Sequence, residues 1–207
     1  AGEIARALGL LVPEIVFVDF DAALGRSEPD PEIQPLLKAS AGLNLGLDYL
    51  PGAIGYHPVA VPPDPALASA IVWLDAYVTN VDRTVRNPNL LLWHQRLWLI
   101  DHGAALYFHY AWDGDLDRSR DPFPRIERHV LLPYTSEIDQ ADAAAGARLT
   151  PPLIRELVAL IPDDWLDEPA FATPAEHRAA YAAYLLRRLE PPRPFLETIR
   201  HARAALV

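Results

Sequence analysis

A carboxylate, an amide and a second carboxylate follow one another within a short stretch of this chain. Asp82 and Asn87 are separated by four residues, and Asp101 comes after a further apolar segment. Phosphoryl transfer from a nucleoside triphosphate needs a carboxylate that orients the acceptor hydroxyl, together with oxygen ligands that hold magnesium. Asp82, Asn87 and Asp101 are residue types that can perform these tasks.

The segment between Asn87 and Asp101 predicts a β-hairpin. Residues 90–93 and 97–100 are apolar runs, and the polar residues 94–96 separate them. The first strand would leave the loop that carries Asn87, and the second would deliver Asp101 to the same end of the hairpin. This order of Asp, Asn and Asp-x-Gly around a hairpin is typical of the protein-kinase catalytic loop. Each motif alone is common, but their order and the preceding helical pattern over residues 67–78 favour one site.

These motifs resemble those of the HipA-like kinases, a bacterial branch of the protein-kinase-like fold. The similarity rests on Asn-Val-Asp-Arg at 80–83, Asn-Pro-Asn-Leu-Leu at 87–91 and Trp-Leu-Ile-Asp-His-Gly-Ala-Ala-Leu at 98–106, with further likeness at 8–14 and 42–52. It covers the first half of the chain well and the second half loosely.

The resemblance implies roles for individual residues. Asp82 would be the catalytic base or the carboxylate that orients the acceptor, while Asn87 and Asp101 would hold magnesium and, through it, ATP. The hinge that meets the adenine would be formed by Asp48, Tyr49 and Leu50. Two positions depart from the family pattern: Thr84 stands where many relatives have histidine, and His102 replaces the phenylalanine of Asp-Phe-Gly.

The resemblance also implies an α+β, protein-kinase-like fold with two lobes. Residues 1–52 would form a partial N-terminal β lobe with a helix tail, strands and the hinge, and residues 53–207 a mainly helical C-terminal lobe with the catalytic loop and metal motif. Strand patterns at 14–20 and 43–50 agree with this division. After residue 126 the pattern is helical, with helices predicted at 152–160, 174–189 and 194–205.

A kinase site also needs a glycine-rich loop over the phosphates and a lysine that pairs with them. No Gly-x-Gly-x-x-Gly occurs here, and Lys38 is the only lysine in the sequence. A surface position is the simpler interpretation of Lys38, because lysine is seldom buried. We therefore expect a glycine-rich, lysine-bearing segment before Ala1; without one, the chain would be a degenerate kinase.

Composition restricts the remaining classes of function. The 207 residues include 18 basic and 28 acidic side chains, for a net charge of −10, which argues against nucleic-acid binding by this chain. The absence of cysteine excludes disulfides, thiol nucleophiles and cysteine-based zinc sites. No apolar run approaches the roughly 20 residues of a membrane span, and no signal-peptide pattern opens the chain. These features predict a cytoplasmic protein without membrane contact.

Two further groups of residues are candidate sites. Four arginines follow the metal motif in a mixed-charge stretch, and this stretch is either a solvated loop or the equivalent of an activation segment that shapes the acceptor site: Arg118, Arg120, Arg125 and Arg128. A zinc site formed by His94, His102 and His109 is not favoured, because these histidines do not have the i, i+4 spacing that places two ligands on one face of a helix.

Three classes of function share these motifs. The leading hypothesis is an ATP- and Mg²⁺-dependent kinase that transfers the γ-phosphate to a Ser or Thr hydroxyl of a protein substrate. The alternatives are a nucleotide-binding pseudokinase that regulates a partner protein, and a kinase-fold enzyme that phosphorylates a small molecule. The motif that carries Asp82, Asn87 and Asp101 does not determine which acceptor is phosphorylated, so the motifs alone do not separate these classes.

Overall fold

The chain folds as an α+β protein in the computed structural model, which describes residues 1–23, 28–112 and 114–206. In these residues there are seven α-helices and two small antiparallel sheets. In chain order the elements are α1 (Gly2–Ala7), β1 (Ile15–Phe20), α2 (Ile33–Ala39), β2 (Gly42–Leu47), β3 (Ile54–Gly55), α3 (Pro65–Tyr77), β4 (Leu90–Trp93), β5 (Arg96–Leu99), α4 (Ile138–Arg148), α5 (Pro151–Ala159), α6 (Pro174–Leu189) and α7 (Pro194–Ala204).

Helix α3 is the centre of the core and positions the candidate site. It begins where Asp64 caps it, with Oδ1 accepting a hydrogen bond from the Leu67 amide at 2.9 Å. Its second half is buried on every side, as expected of a helix that is apolar all round. Trp73 stacks on Tyr77 with ring centroids 5.0 Å apart. The helix predicted at 67–78 is confirmed, and its end at Tyr77 leads directly into the loop that carries Asp82.

The predicted hairpin is confirmed, with a tighter turn than the apolar runs indicated. β4 and β5 are antiparallel, with Leu90 opposite Leu99 and Trp93 opposite Arg96, and β3 adds a short third strand. Only His94 and Gln95 lie in the turn, and their φ angles are 47° and 60°. Positive φ at both central residues matches the twist of a two-residue hairpin.

The second sheet is formed by β1 and β2 alone. They pair in antiparallel register from Ile15 opposite Leu47 to Phe20 opposite Gly42. Both strands were predicted, although β2 ends three residues before the predicted boundary. After that end, the Asp48 amide still donates to the Glu14 carbonyl at 2.8 Å.

The three predicted C-terminal helices are confirmed to within one residue as α5, α6 and α7. Helical structure was predicted from residue 126 to the end of the chain. This prediction was wrong for the part before α4, where the described residues form no α-helix. Before α4 the chain forms short 3₁₀ helices at Tyr107–Ala111, Leu116–Arg120, Pro124–Arg128 and Leu132–Tyr134. Prolines 122, 124 and 133 explain this, because proline cannot donate the interior hydrogen bonds of a longer α-helix. Helix α2 was not identified from the sequence.

The N-terminal segment shares the main hydrophobic core. Ile4, Leu10 and Val12 belong to the same buried cluster as α3 and the C-terminal helices. The Leu99 amide of β5 donates to the Leu11 carbonyl at 2.8 Å, which ties this segment to the hairpin. Among the residues described, no helix combines the length and apolar character needed to cross a bilayer.

Candidate functional site

The loop after α3 closes on itself through its backbone. The Thr84 amide donates to the Asp82 carbonyl at 2.8 Å and to the Asn87 carbonyl at 3.0 Å, and the Asn87 amide donates back to the Thr84 carbonyl at 3.2 Å. These bonds fix the position of Asn87 relative to Asp82. The interval of four residues is therefore one compact turn.

Two side-chain amides converge on the Asp82 carboxylate. Asn87 donates from Nδ2 to Oδ2 of Asp82 at 2.6 Å, and Asn89 Nδ2 reaches the same oxygen at 3.4 Å. The other oxygen, Oδ1, accepts no hydrogen bond from the described residues. Asn89 adopts a φ of 49°, in the left-handed region that asparagine tolerates better than most residues. No role for Asn89 was predicted from the sequence.

The hairpin returns Asp101 to this loop. The Ile100 amide donates to the Asn89 carbonyl at 3.1 Å, so the contact between the strands extends past Leu90 and Leu99. Asp101 itself is exposed, has a φ of 50° and accepts a hydrogen bond from the Gly103 amide at 3.2 Å through Oδ1. Asp82, Asn87 and Asp101 thus lie at one end of the hairpin.

The donor set at this end fits a magnesium site that phosphates complete. Asn87 donates a hydrogen bond from Nδ2 to Asp82, which leaves the oxygen of its side-chain amide as a ligand. Asp101 supplies an exposed carboxylate. In the described parts of the chain, no group of three or more His, Cys, Asp or Glu could hold a metal by itself. Magnesium commonly binds one or two protein carboxylates and takes its other ligands from substrate phosphates and water.

A buried ionic cluster behind the loop holds it against α3. Asp75 is fully buried on α3, and its Oδ2 lies 2.5 Å from Arg83 Nε and 2.9 Å from His129 Nε2. The Asn80 amide side chain donates to Oδ1 at 2.9 Å. Burial alone would raise the pKa of Asp75, but Arg83, His129 and Asn80 together hold that pKa below its usual value. Asp75 therefore stays ionised.

Arg83 connects this cluster to the loop. Its Nη1 donates to the Asn89 carbonyl at 2.5 Å, and its own carbonyl accepts from the Val130 amide at 3.2 Å. Arg83 thereby links α3, the Asp82 loop and the segment after residue 128. The role of Asp75 was not predicted, although an aspartate inside the apolar run 70–77 is a signal that could have identified it.

His102 packs toward the N-terminal helix. Burial, and after it the charge of Arg83, lowers the pKa of His102 to about 4, so the imidazole is neutral near pH 7. Its Nε2 is buried with no hydrogen-bond partner in the described structure. Gly2 of α1 is a close neighbour, because a Cβ built there would lie 3.8 Å from His102 Nδ1.

The three predicted hinge residues follow β2 and have different surroundings. Tyr49 is exposed, whereas Leu50 is buried. Asp48 and Leu50 line a cleft of about 600 Å³ together with Trp93 and Trp98 of the hairpin. Trp93 also donates from Nε1 to the Pro51 carbonyl at 2.9 Å. The hairpin that leads to Asp101 therefore contacts the residue that follows the predicted hinge and shares a cleft with Asp48 and Leu50.

The four arginines after the metal motif lie on two of the 3₁₀ helices, Leu116–Arg120 and Pro124–Arg128. Arg120 pairs with Glu190 at 3.0 Å, and the Arg125 guanidinium stands 5.9 Å from the centre of the Tyr107 ring. This segment is thus folded against the helical part of the chain.

Comparison with known proteins gives one match. A family model described as HipA-like kinase matches residues 1–195 of the 207-residue chain. No curated protein and no solved structure gives a significant match. The matched range includes every residue of the candidate site.

Proposed function

The chain belongs to the HipA-like kinase family, and on that premise we propose that it is an ATP- and Mg²⁺-dependent kinase acting on a Ser or Thr hydroxyl of a protein substrate. The family supports phosphotransfer; the acceptor and the metal are our extension. One observation carries the proposal, namely that Asn87 and Asn89 bind one oxygen of Asp82 while the hairpin delivers Asp101 beside them.

Asp82 is proposed to orient the acceptor hydroxyl and accept its proton. The amides of Asn87 and Asn89 hold Oδ2, which leaves Oδ1 to receive a hydrogen bond from the acceptor. The closed loop fixes the carboxylate in place, and catalysis of this kind depends on positioning and on electrostatic stabilisation.

Asn87 and Asp101 are proposed to hold Mg²⁺ through the Asn87 carbonyl oxygen and the Asp101 carboxylate. When bound, the ion supplies neutralisation of the negative charge on the ATP phosphates. The exposed position of Asp101 at the hairpin end leaves it accessible to a metal-nucleotide complex.

The proposal includes a two-lobed arrangement. Residues 1–52 would be the partial N-terminal lobe, and residues 53–207 the helical lobe. Asp48, Tyr49 and Leu50 would be the hinge that meets the adenine. Support comes from their place between the β1–β2 sheet and the turn at 51–52, and from the contact of Trp93 with Pro51.

Phosphoryl transfer by an Asp82→Asn variant tests the catalytic assignment. The substitution keeps the shape of the side chain but removes its basicity, so we expect transfer of labelled γ-phosphate to fall about 10²–10⁴-fold while nucleotide binding persists. Transfer can be followed into a protein extract, into the chain itself and into small-molecule acceptors. Asp164→Asn, at an exposed aspartate away from the loop, is the matched control.

The outcomes separate the classes of function. Unchanged transfer by Asp82→Asn would remove this residue from its assigned role. Transfer only to small molecules would replace the protein acceptor, and nucleotide binding without any transfer would identify a pseudokinase that regulates a partner protein.

A further inference from the structure

A small cavity lies beside the Asp82 loop and includes two of the four arginines described above. It has a volume of about 230 Å³ and is lined by Thr79, Val81, Arg118, Asp121, Arg125 and Tyr184, among others. We call it the Thr79 pocket. Val81 is the residue immediately before Asp82, so the pocket adjoins the proposed reaction centre.

Two hydroxyl groups in the pocket wall have no hydrogen-bond partner in the described structure. Thr79 Oγ1 and Tyr184 Oη are both buried and unpaired. They are close enough for Thr79 to affect the ionisation of Tyr184, but they are not in hydrogen-bond geometry with each other. Burial raises the pKa of Tyr184, so its hydroxyl keeps the proton that it can donate. A buried polar group without a partner costs about 1–3 kcal/mol, which a bound ligand could recover.

The backbone of the pocket is strained at two positions. Thr79 has a φ of 51° and Phe123 a φ of 54°. The left-handed region is costly for a β-branched or bulky side chain. The surrounding structure enforces the conformation of Thr79, because the flanking Val78 carbonyl accepts from the Leu106 amide at 2.6 Å and the Asn80 amide donates to the Asp75 carbonyl at 2.8 Å. Strain of this kind tends to collect at ligand sites.

Arginines outnumber carboxylates in the pocket wall. Arg118 and Arg125 are exposed, and neither forms an ion pair with a described residue. Nearby, Arg120 pairs with Glu190 and Arg187 with Asp117. The chain as a whole has a net charge of −10, whereas the wall of this cavity contains two arginines and one aspartate.

The wall also contains one carboxylate, that of Asp121. Asp121 accepts a hydrogen bond from the Phe123 amide at 2.6 Å through Oδ1. Arg188 is buried and donates to the carbonyls of Ser119 and Asp121 at 3.0 and 2.8 Å, which holds this wall in place. The pocket therefore offers a ligand two guanidinium groups and two hydroxyls beside a single carboxylate.

We propose that the Thr79 pocket binds an oxyanion, either a phosphate or a carboxylate group, carried by the phosphoryl acceptor. Guanidinium groups bind both anions through paired hydrogen bonds. The pocket is smaller than the roughly 300–1,000 Å³ of sites for drug-sized ligands, which suits one anionic group and not a nucleotide. The acceptor role rests on the proposed function; the site selects acceptors that carry an anionic group near the reacting hydroxyl.

Titration of inorganic phosphate into the nucleotide-free protein, followed by the NMR signals of the Val81 and Phe123 amides, tests the site. We expect saturable shifts, and a loss of affinity of about tenfold in each of Arg118→Gln and Arg125→Gln. Arg128→Gln is the matched control, because Arg128 is exposed on the same 3₁₀ helix as Arg125 but does not line the pocket. Its affinity should equal that of the parent protein.

Failure of saturation, or equal affinity in all three arginine variants, would overturn the oxyanion site. A parallel titration with malonate distinguishes the two anions. Tighter binding of phosphate supports an acceptor that carries a phosphate group, and tighter binding of malonate supports an acceptor that carries a carboxylate. Calorimetry with Mg-ATP is run on the same samples. If phosphate does not bind while Mg-ATP still binds, this inference alone is overturned. If phosphate binds and Mg-ATP does not, the proposed function is overturned, and with it the acceptor role of the pocket.

Discussion

Asp75 is a single buried carboxylate on which the geometry of the loop depends. It has no exposed surface, and its charge is balanced within the fold by Arg83, with further hydrogen bonds from His129 and Asn80. Removing one partner of a buried ion pair leaves the other charge uncompensated. At the scale of the residue, the position of Asp82 thus depends on a group that does no chemistry itself.

Asp75→Asn should therefore be strongly destabilising. We expect the free energy of unfolding to fall by about 3–5 kcal/mol, because Arg83 stays buried without a counter-charge. Urea denaturation followed by circular dichroism measures this loss. Asp164→Asn, an exposed aspartate, is the control and should change stability by less than about 0.5 kcal/mol. Similar stability of the two variants would show that the buried cluster does not hold the loop.

The buried histidines predict how stability depends on pH. The pKa of His102 falls to about 4, and burial also lowers the pKa of His177, whose ring nitrogens have no partner in the described structure. In the unfolded chain these imidazoles bind protons near pH 6.5. The unfolded state then binds more protons than the fold, so stability should decline as the pH falls from about 6.5 toward 4.

Urea denaturation across this pH range measures the decline. His177 stacks on the rings of Phe171 and Tyr181 at 4.2 and 4.8 Å, so His177→Phe preserves the stacking and removes the titrating group. The variant should show a shallower loss of stability at acidic pH. A parent protein whose stability stays flat or rises as the pH falls would contradict the burial of these rings.

At the scale of the element, the β4–β5 hairpin is the device that joins the two halves of the site. Its turn has the unusual feature that neither His94 nor Gln95 is glycine although both have positive φ. Gln95→Gly should raise the free energy of unfolding by about 0.5–1 kcal/mol, because glycine adopts this conformation without the steric cost. Gln95→Ala is the matched control and should not stabilise. Thermal denaturation compares them; stabilisation by alanine alone would show that φ at this position is not the cause.

Local patterns explain which elements were predictable. The hairpin and helices α3, α5, α6 and α7 follow from apolar periodicity and from proline at helix starts, and both depend on neighbouring residues only. The 3₁₀ segment and the ionic cluster were not predicted. His129 lies 54 residues from Asp75 in sequence, and no local pattern records that they meet. The same applies to the Thr79 pocket, whose walls come from four separate segments.

At the scale of the whole molecule, one core extends from α1 to α7, and the site lies where its loops meet. The β1–β2 sheet leaves Val16, Phe17 and Leu45 exposed. Exposed apolar patches of this kind mark surfaces that contact another segment or partner. In the proposed two-lobed arrangement this sheet would belong to the lobe that covers the nucleotide, and metal and nucleotide binding would then require the molecule as a whole.

The most direct test of this account is calorimetric titration of ATP with and without Mg²⁺ into the parent protein, Asp101→Ala and Asp164→Asn. The account predicts magnesium-dependent binding by the parent and by Asp164→Asn, with affinity at least about tenfold lower in Asp101→Ala, because one of two protein ligands to the metal is gone. Binding that is independent of magnesium, or equally strong in Asp101→Ala, would contradict a kinase-type site at this end of the hairpin.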